Sequence, residues 1–396
     1  MPVCGIIAEY DPFHAGHAWQ IQAVRGILGA HTAVVCAMSG NWTQRGAPAL
    51  FPKHVRAQAA LLGGADLVLE LPSVWAVAPA ETFARGGVAL LDGTGVVTHL
   101  CFGSECGTLE PLQQAAHCLD SQLYTAGLRR FLDQGMPFAA CRQAAVEELA
   151  GRETGAVLAA PNNNLGVEYL RALQSLHSPI QPMTVARQGA GHGQGPQDGF
   201  ASAGHLRTLL RSGDWDGAAP YLSEPTAALL RCAPDARLER AERAVLARLR
   251  TMGEEDFAAL PDAGGAEGLP RRLYQAARQA RDLDEFFLLA KTRRYPLARL
   301  RRLVLWAFWG VRAEQRLERP PYLRVLGANQ TGRALLREMK QCARIPVLTK
   351  PAHAHTLPGE GQALFELEGH LTDLYGLCRA QVPPCGTEWT SSPAMV

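Results

Sequence analysis

His14, Gly16 and His17 stand between an apolar run, Val3–Ala8, and a stretch in which Trp19, Ile21, Val24, Ile27 and Leu28 share one helical face. Imidazoles can donate hydrogen bonds to phosphate oxygens. The free N–H groups at a helix start do the same, and the positive end of the helix dipole favours an anion there. Gly16 lets a nucleotide approach the backbone without meeting a Cβ. Asp11-Pro12 ends the apolar run, because proline holds its predecessor extended and cannot donate to a ladder. The two histidines therefore fall in a strand-to-helix turn, at the sheet edge where ligands of open α/β sheets bind.

Four further groups could join them. Asn41, Gln44 and Arg45 crowd a glycine-flanked loop that follows the second apolar run. Gly103 ends another such run, where a backbone must come near something. Asn162, Asn163 and Asn164 could cap a helix or place amides over a base or ribose. Ser202 is a natural N-cap with Arg207 about a turn and a half beyond, a pattern that serves a plain helix or a triphosphate cradle. The densest basic stretch carries Lys291, Arg293, Arg294, Arg299, Arg301 and Arg302 beside Tyr295. Its arginines can face a polyanion, with Tyr295 stacking on a base, or form a solvated face.

The elements that must hold these groups alternate from the start. Strands are expected at Val3–Ala8 and at 32–38, 66–71, 96–102 and 183–187. Helices are expected at 52–62, 76–91 and 167–176, with mostly helix over 109–149. Four β-α units in about a hundred residues predict a parallel, doubly wound α/β sheet with right-handed crossovers. Residues 188–198 read as a mobile glycine-rich loop without a Walker pattern. From about 223 strands give way to arginine-laced helices. Residues 320–329 read as a compact turn, 345–348 as a short strand, and the chain after Val382 as a loose tail. The division expected is 1–220 for a catalytic nucleotide-binding domain, 221–382 for a helical basic region and 383–396 for the tail.

Composition sets bounds on this reading. The 396 residues are 47% hydrophobic and 19% charged, with a net charge of +2, which describes a globular chain with ample core. No run of about 18 apolar residues could span a bilayer, and we expect no secretion signal. The ten cysteines are scattered without zinc spacing, and Cys4, Cys36 and Cys101 lie in apolar runs. They read as small core residues in a reducing cytoplasm, without chemistry of their own.

The order strand, Pro-Phe-His, Gly-His and amphipathic helix resembles the His-x-Gly-His signature of adenylyl-transferring enzymes. Over nearly its whole length the chain resembles the bacterial tRNA(Met) cytidine acetate ligase family, through segments 5–17, 38–46, 64–72, 102–105, 161–169, 202–207, 291–302 and 322–329. That resemblance implies a Rossmann-like domain of the nucleotidyltransferase (HUP) type followed by a mainly α-helical C-terminal region. It implies activation of acetate by ATP to acetyl-adenylate and pyrophosphate, then acetyl transfer to N4 of the wobble cytidine of elongator tRNA(Met). His14 and His17 would be catalytic. ATP would be bound by Ile7, Ala8, Glu9, Tyr10, Asp11, Pro12, Phe13, His14, Ala15, Gly16, His17, Ala18, Trp19 and Gln20. Gly103, Asn162, Asn163 and Arg187 would join that set, and Ser202 with Arg207 would form a second phosphate motif. Mg²⁺ would neutralise the leaving pyrophosphate, with ligands not assigned. The chain departs from the family pattern at Asp11 and Ala15, where asparagines are expected, at His205, and at Pro296 in place of a threonine. Two rivals share parts of this pattern: an enzyme that adenylylates a phosphorylated metabolite, and a non-catalytic RNA-binding protein.

Overall fold

The computed structural model describes residues 1–188, 199–264 and 268–396. From residue 189 on, the glycine-rich segment expected at 188–198 lies outside the described residues. So does Gly265 of the Gly264-Gly265 pair, which by its composition is expected to break the helical pattern there.

Among the described residues eight strands form the main sheet: β1 Val3–Ala8, β2 Ala33–Ser39, β3 Leu67–Leu71, β4 His99–Ser104, β5 Gln181–Ala186, β6 Leu323–Ala328, β7 Val347–Leu348 and β8 Ala394–Met395. Their order is β8-β6-β3-β2-β1-β4-β5, with β7 beside β6. β1 pairs in parallel with β2 and β4, β2 with β3, and β4 with β5. Runs buried on both faces are what a helix-covered parallel sheet requires. Alternate residues divide between two cores: Val3, Ile7, Val35 and Ala37 on one face, Cys4, Ile6, Val34 and Cys36 on the other. The cysteines expected in the core are buried there.

The chain builds β1, β2 and β3 outward in one direction, then returns to place β4 on the other side of β1. The carboxyl ends of β1 and β4 therefore face a crevice at the topological switch point. β4 starts later than its apolar run, because Val96 and Val97 donate to the Thr94 hydroxyl in a turn and pairing begins at Cys4 opposite His99. The helix expected at 76–91 begins at Ala80, after a short helix Ser73–Ala76 and with Pro79 as its N-cap.

The second half departs most from expectation. The turn read at 320–329 is β6, six buried residues antiparallel to β3. Pro320-Pro321 before it and Gly327-Ala328-Asn329 at its end give it a turn's composition, and Arg324, its second residue, looks like a surface residue. Strands do not vanish after 223, since β6, β7 and β8 extend the sheet. Nor is the chain's end loose: it forms the helix Thr387–Thr390 and then β8, which pairs with β6.

A buried ionic cluster explains that order. Lys53 Nζ lies 2.6 Å from Glu70 and 2.7 Å from Glu388, and all three are nearly inaccessible to water. Glu388 also takes the Thr372 hydroxyl and faces Arg324. Nearby, Glu368 accepts from the Ser73 amide and hydroxyl. Removing one member strands a buried charge, which typically costs about 3–5 kcal/mol. Glu388→Ala is therefore expected to lower the unfolding free energy by about that amount in urea titration. A change below about 0.5 kcal/mol, ordinary for a surface site, would contradict the ordered tail.

Candidate active site

At the carboxyl ends of β1 and β4 the structure opens a cavity of about 760 Å³. His14 is the N-cap of the helix Ala15–Leu28 and His17 its third residue. The His14 Nδ1 accepts from the Gly16 N–H at 3.0 Å, and the His17 Nδ1 accepts from the His14 N–H at 3.2 Å. The two rings form a reciprocal capping box, normally the work of Ser and Glu. A Cβ on Gly16 would lie 2.9 Å from His14 Cε1. The glycine thus makes room for the His14 ring.

With both Nδ1 atoms accepting, each neutral ring carries its proton on Nε2. Burial, reinforced by Arg187 and Arg207, holds the His14 imidazolium down to about 3. Burial, then His14 and Arg187, puts His17 well below its ordinary value. Tyr10 packs edgewise against the His17 ring, with centroids 4.8 Å apart, and Phe13 lies tilted beside it at 5.5 Å. Tyr10 adopts a left-handed backbone and the Asp11–Pro12 peptide is cis.

Arg56 organises the rim. It is fully buried and donates to the carbonyls of Glu9, Ser39, Gly40 and Phe51. Glu9 Oε1 accepts from the Gln44 N–H at 2.6 Å, and Asp11 Oδ1 from the Leu50 N–H at 2.7 Å. Ser202 caps the helix Ala203–Ser212 as expected. Arg207 donates to the Asp11 carbonyl at 2.6 Å, so it binds the His loop while also lining the cavity.

Most of the expected residues converge. Ile7, Ala8, Glu9, Tyr10, Asp11, His14, Gly16, His17, Trp19 and Gln20 line the cavity with Gln44, Arg45, Gly103, Asn162, Arg187, Ser202 and Arg207. Pro12, Phe13, Ala15 and Ala18 support the loop from outside the lining. Asn41 is buried away from it, bonded to the Lys53 amide and to Thr372. The asparagines lie within the helix Pro161–Ser175, whose N-cap is Ala160, so they do not cap it. Asn163 instead accepts from the amides of Glu105 and Cys106 and fixes the turn after β4.

The basic stretch divides three ways. Lys291, Arg293 and Arg294 are exposed. Tyr295 is 5% exposed, under the Arg299 guanidinium, so it has no face open for a base. Arg299 is tied to the carbonyls of Asp262 and Ala263. Arg301 and Arg302 line the cavity itself. Their position is set by Gly46, at φ +76°, where a Cβ would stand 2.5 Å from the backbone of both residues. Phe83, Phe102, Phe138, Tyr169 and Phe200 give the cavity an aromatic side. Sequence reasoning did not single them out, since aromatic residues at such spacings read as core.

Neutral Nε2–H donors, helix amides and arginines converging on a sheet's switch point define a nucleotidyltransferase of the Rossmann-like class. The HIGH Nucleotidyl Transferase family model matches residues 1–386. The tRNA(Met) cytidine acetate ligase of Syntrophomonas wolfei is 32% identical over 99% of both chains. That of Caldanaerobacter subterraneus is 34% identical over 95% of both. The crystal structure of Thermotoga maritima TmcAL superposes with a TM-score of 0.93 at 31% identity, and the form bound with alpha-thio ATP with 0.91, each over the whole of both chains. The chain belongs to the tRNA(Met) cytidine acetate ligase family.

The unfolded chain binds a proton on His14 near 6.5, the folded chain only near 3. This group's contribution to stability is therefore complete above 6.5 and declines as pH falls toward 3. Imidazole nitrogen NMR should find both rings neutral with Nε2 protonated from about pH 5 to 8. A titration of either ring near its ordinary value would contradict the capping geometry.

Proposed function

We propose that this chain activates acetate with ATP and acetylates N4 of the wobble cytidine of elongator tRNA(Met). The observation that carries the reading is the paired histidines, which aim two N–H donors into a cavity flanked by Arg187 and Arg207. Acetate attacks the α-phosphate, and charge accumulates on its oxygens. Preorganised donors stabilise that charge without reorganising. Pyrophosphate leaves, and acetyl-adenylate remains in the cavity. ATP as substrate is supported by the family and by the nucleotide analogue in the T. maritima enzyme.

Among the described residues no cluster of three or more His, Cys, Asp or Glu could hold a metal. Mg²⁺ commonly keeps its waters and binds through substrate phosphates. A donor set of arginines and neutral imidazoles fits a Mg²⁺ ion carried by the triphosphate, with no protein cage.

In this reading residues 1–220 supply most of the ATP site and 221–382 the tRNA surface, with Arg301 and Arg302 of the latter reaching the cavity. Exposed Lys291, Arg293 and Arg294 precede the helix Leu297–Trp309, whose first turns reach the cavity. They hold the tRNA backbone at its mouth, while Arg301 and Arg302 work inside. No described helix is long and apolar enough to cross a membrane. All ten cysteines are unpaired, which suits the cytoplasm.

ATP–pyrophosphate exchange that requires acetate tests the first step. His14→Ala or His17→Ala is expected to reduce it by ~10²–10³. Exchange that depends instead on a phosphorylated metabolite, or none at all, would overturn the reading. Arg293→Ala with Arg294→Ala should depress tRNA acetylation far more than exchange. It should also flatten the log–log salt dependence by about 0.7–0.9 per lost phosphate contact. Arg302→Ala, by contrast, should lower exchange itself. Equal exchange in the two variants would show that the stretch does not divide as the cavity lining indicates.

A further inference from the structure

Acylation of an amine requires that a proton leave the nitrogen as the new bond forms. The N4 amine of cytosine is a weak nucleophile, because its lone pair is delocalised into the ring. A proton acceptor placed beside such a group is worth about 10²–10⁴ in rate. The cavity's own hydrogen bonds decide which group is available.

The histidines are not. Each Nδ1 already accepts a backbone N–H, so each ring offers the cavity a donor only. Asp11 is buried, with Oδ1 taken by the Leu50 amide and Oδ2 facing Arg207. Tyr169 is a buried phenol held above its ordinary value, first by burial and then by the Glu9 carboxylate. Glu9 differs from all of these. It stands just past β1 and lines the cavity half-buried. Its Oε1 accepts from the Gln44 N–H, and its Oε2 has no hydrogen-bond partner among the described residues.

We propose that Glu9 is the general base of acetyl transfer, an inference that rests on the ligase reading above. As N4 attacks, the nitrogen–carbonyl carbon bond forms and the bond from that carbon to the phosphate oxygen breaks. AMP leaves with the electron pair on its phosphate, and the N4 proton passes to Glu9 Oε2. The Gln44 amide fixes the carboxylate's rotation and leaves the second oxygen open. Burial raises the affinity of Glu9 for a proton, against the pull of that amide and of Arg207 and Arg56. A carboxylate so placed is a better acceptor than one in water.

The test compares two acceptors on the full-length protein. Hydroxylamine is nucleophilic without help and traps acetyl-adenylate as acetohydroxamate, whereas the tRNA(Met) amine needs the base. Glu9→Gln keeps the shape and the bond from the Gln44 amide. It is expected to lower tRNA acetylation by about 10²-fold or more relative to acetohydroxamate formation, with tRNA affinity by filter binding as a separate readout. Equal losses with both acceptors would place Glu9 in the ATP site or the fold and overturn the proposal. Undiminished tRNA acetylation would overturn it as well, leaving the departing phosphate as the acceptor. If the unmodified protein makes no acetohydroxamate from ATP and acetate, the ligase reading fails, and this proposal falls with it.

Discussion

The carboxyl edge of the sheet depends on one buried guanidinium. Arg56 reaches from the helix Lys53–Leu62 to four carbonyls, those of Glu9 after β1, Ser39 and Gly40 at the end of β2, and Phe51 before its own helix. Three of these carbonyls lie where two parallel strands stop, and the fourth lies just before a helix start. A planar fork with five donors can satisfy several at once, which a lysine's point charge cannot. The same contact fixes the direction in which the chain leaves β1. It thereby positions the cis Asp11–Pro12 turn and the histidines beyond it.

The histidines show how one set of hydrogen bonds can serve structure and chemistry together. A helix start leaves N–H groups without partners, and here two imidazoles accept two of the N–H groups at this start. Those bonds settle the tautomer, and the tautomer makes the opposite nitrogen of each ring a donor. Burial and nearby arginines then keep both rings neutral. The cavity gains donors that do not titrate in the working range, at the cost of any proton acceptor on the same rings.

The far end of the chain closes this arrangement from below. Glu388 meets Lys53, the first residue of the Arg56 helix, in a pair with almost no solvent access. The Tyr375 hydroxyl donates to the Ala49 carbonyl and the Trp42 indole to the Leu371 carbonyl. The loop carrying Gln44 and Arg45 is thus clamped by the helix Gly359–Gly376 on one side. On the other it meets the helix Leu297–Trp309, through Trp42 against Trp309 and Gly46 against Arg301 and Arg302. What reads along the chain as a separate basic region is, in space, a wall of the cavity at the sheet's carboxyl edge.

The sequence by itself determined the parts that rest on local rules. Continuous apolar runs marked β1 through β5, and Asp11-Pro12 with the first histidine marked the turn. Ser202 announced its own cap, and the ordered motifs identified the family. Boundaries slipped by a few residues wherever pairing with a neighbour, rather than hydrophobicity, decides where a strand begins, as at β4. Tertiary structure alone decided the rest, because the determining interactions join residues far apart in sequence. Arg324 looks exposed until Glu388 arrives to face it, so β6 was hidden in a turn-like composition and the tail passed for loose. Tyr295 and Arg301 share one basic stretch, yet packing buries the first and close approach to Gly46 sets the second at the cavity. Charge and aromaticity are legible in a sequence, but which of them faces solvent, a partner or a substrate is settled by the neighbours that folding brings in.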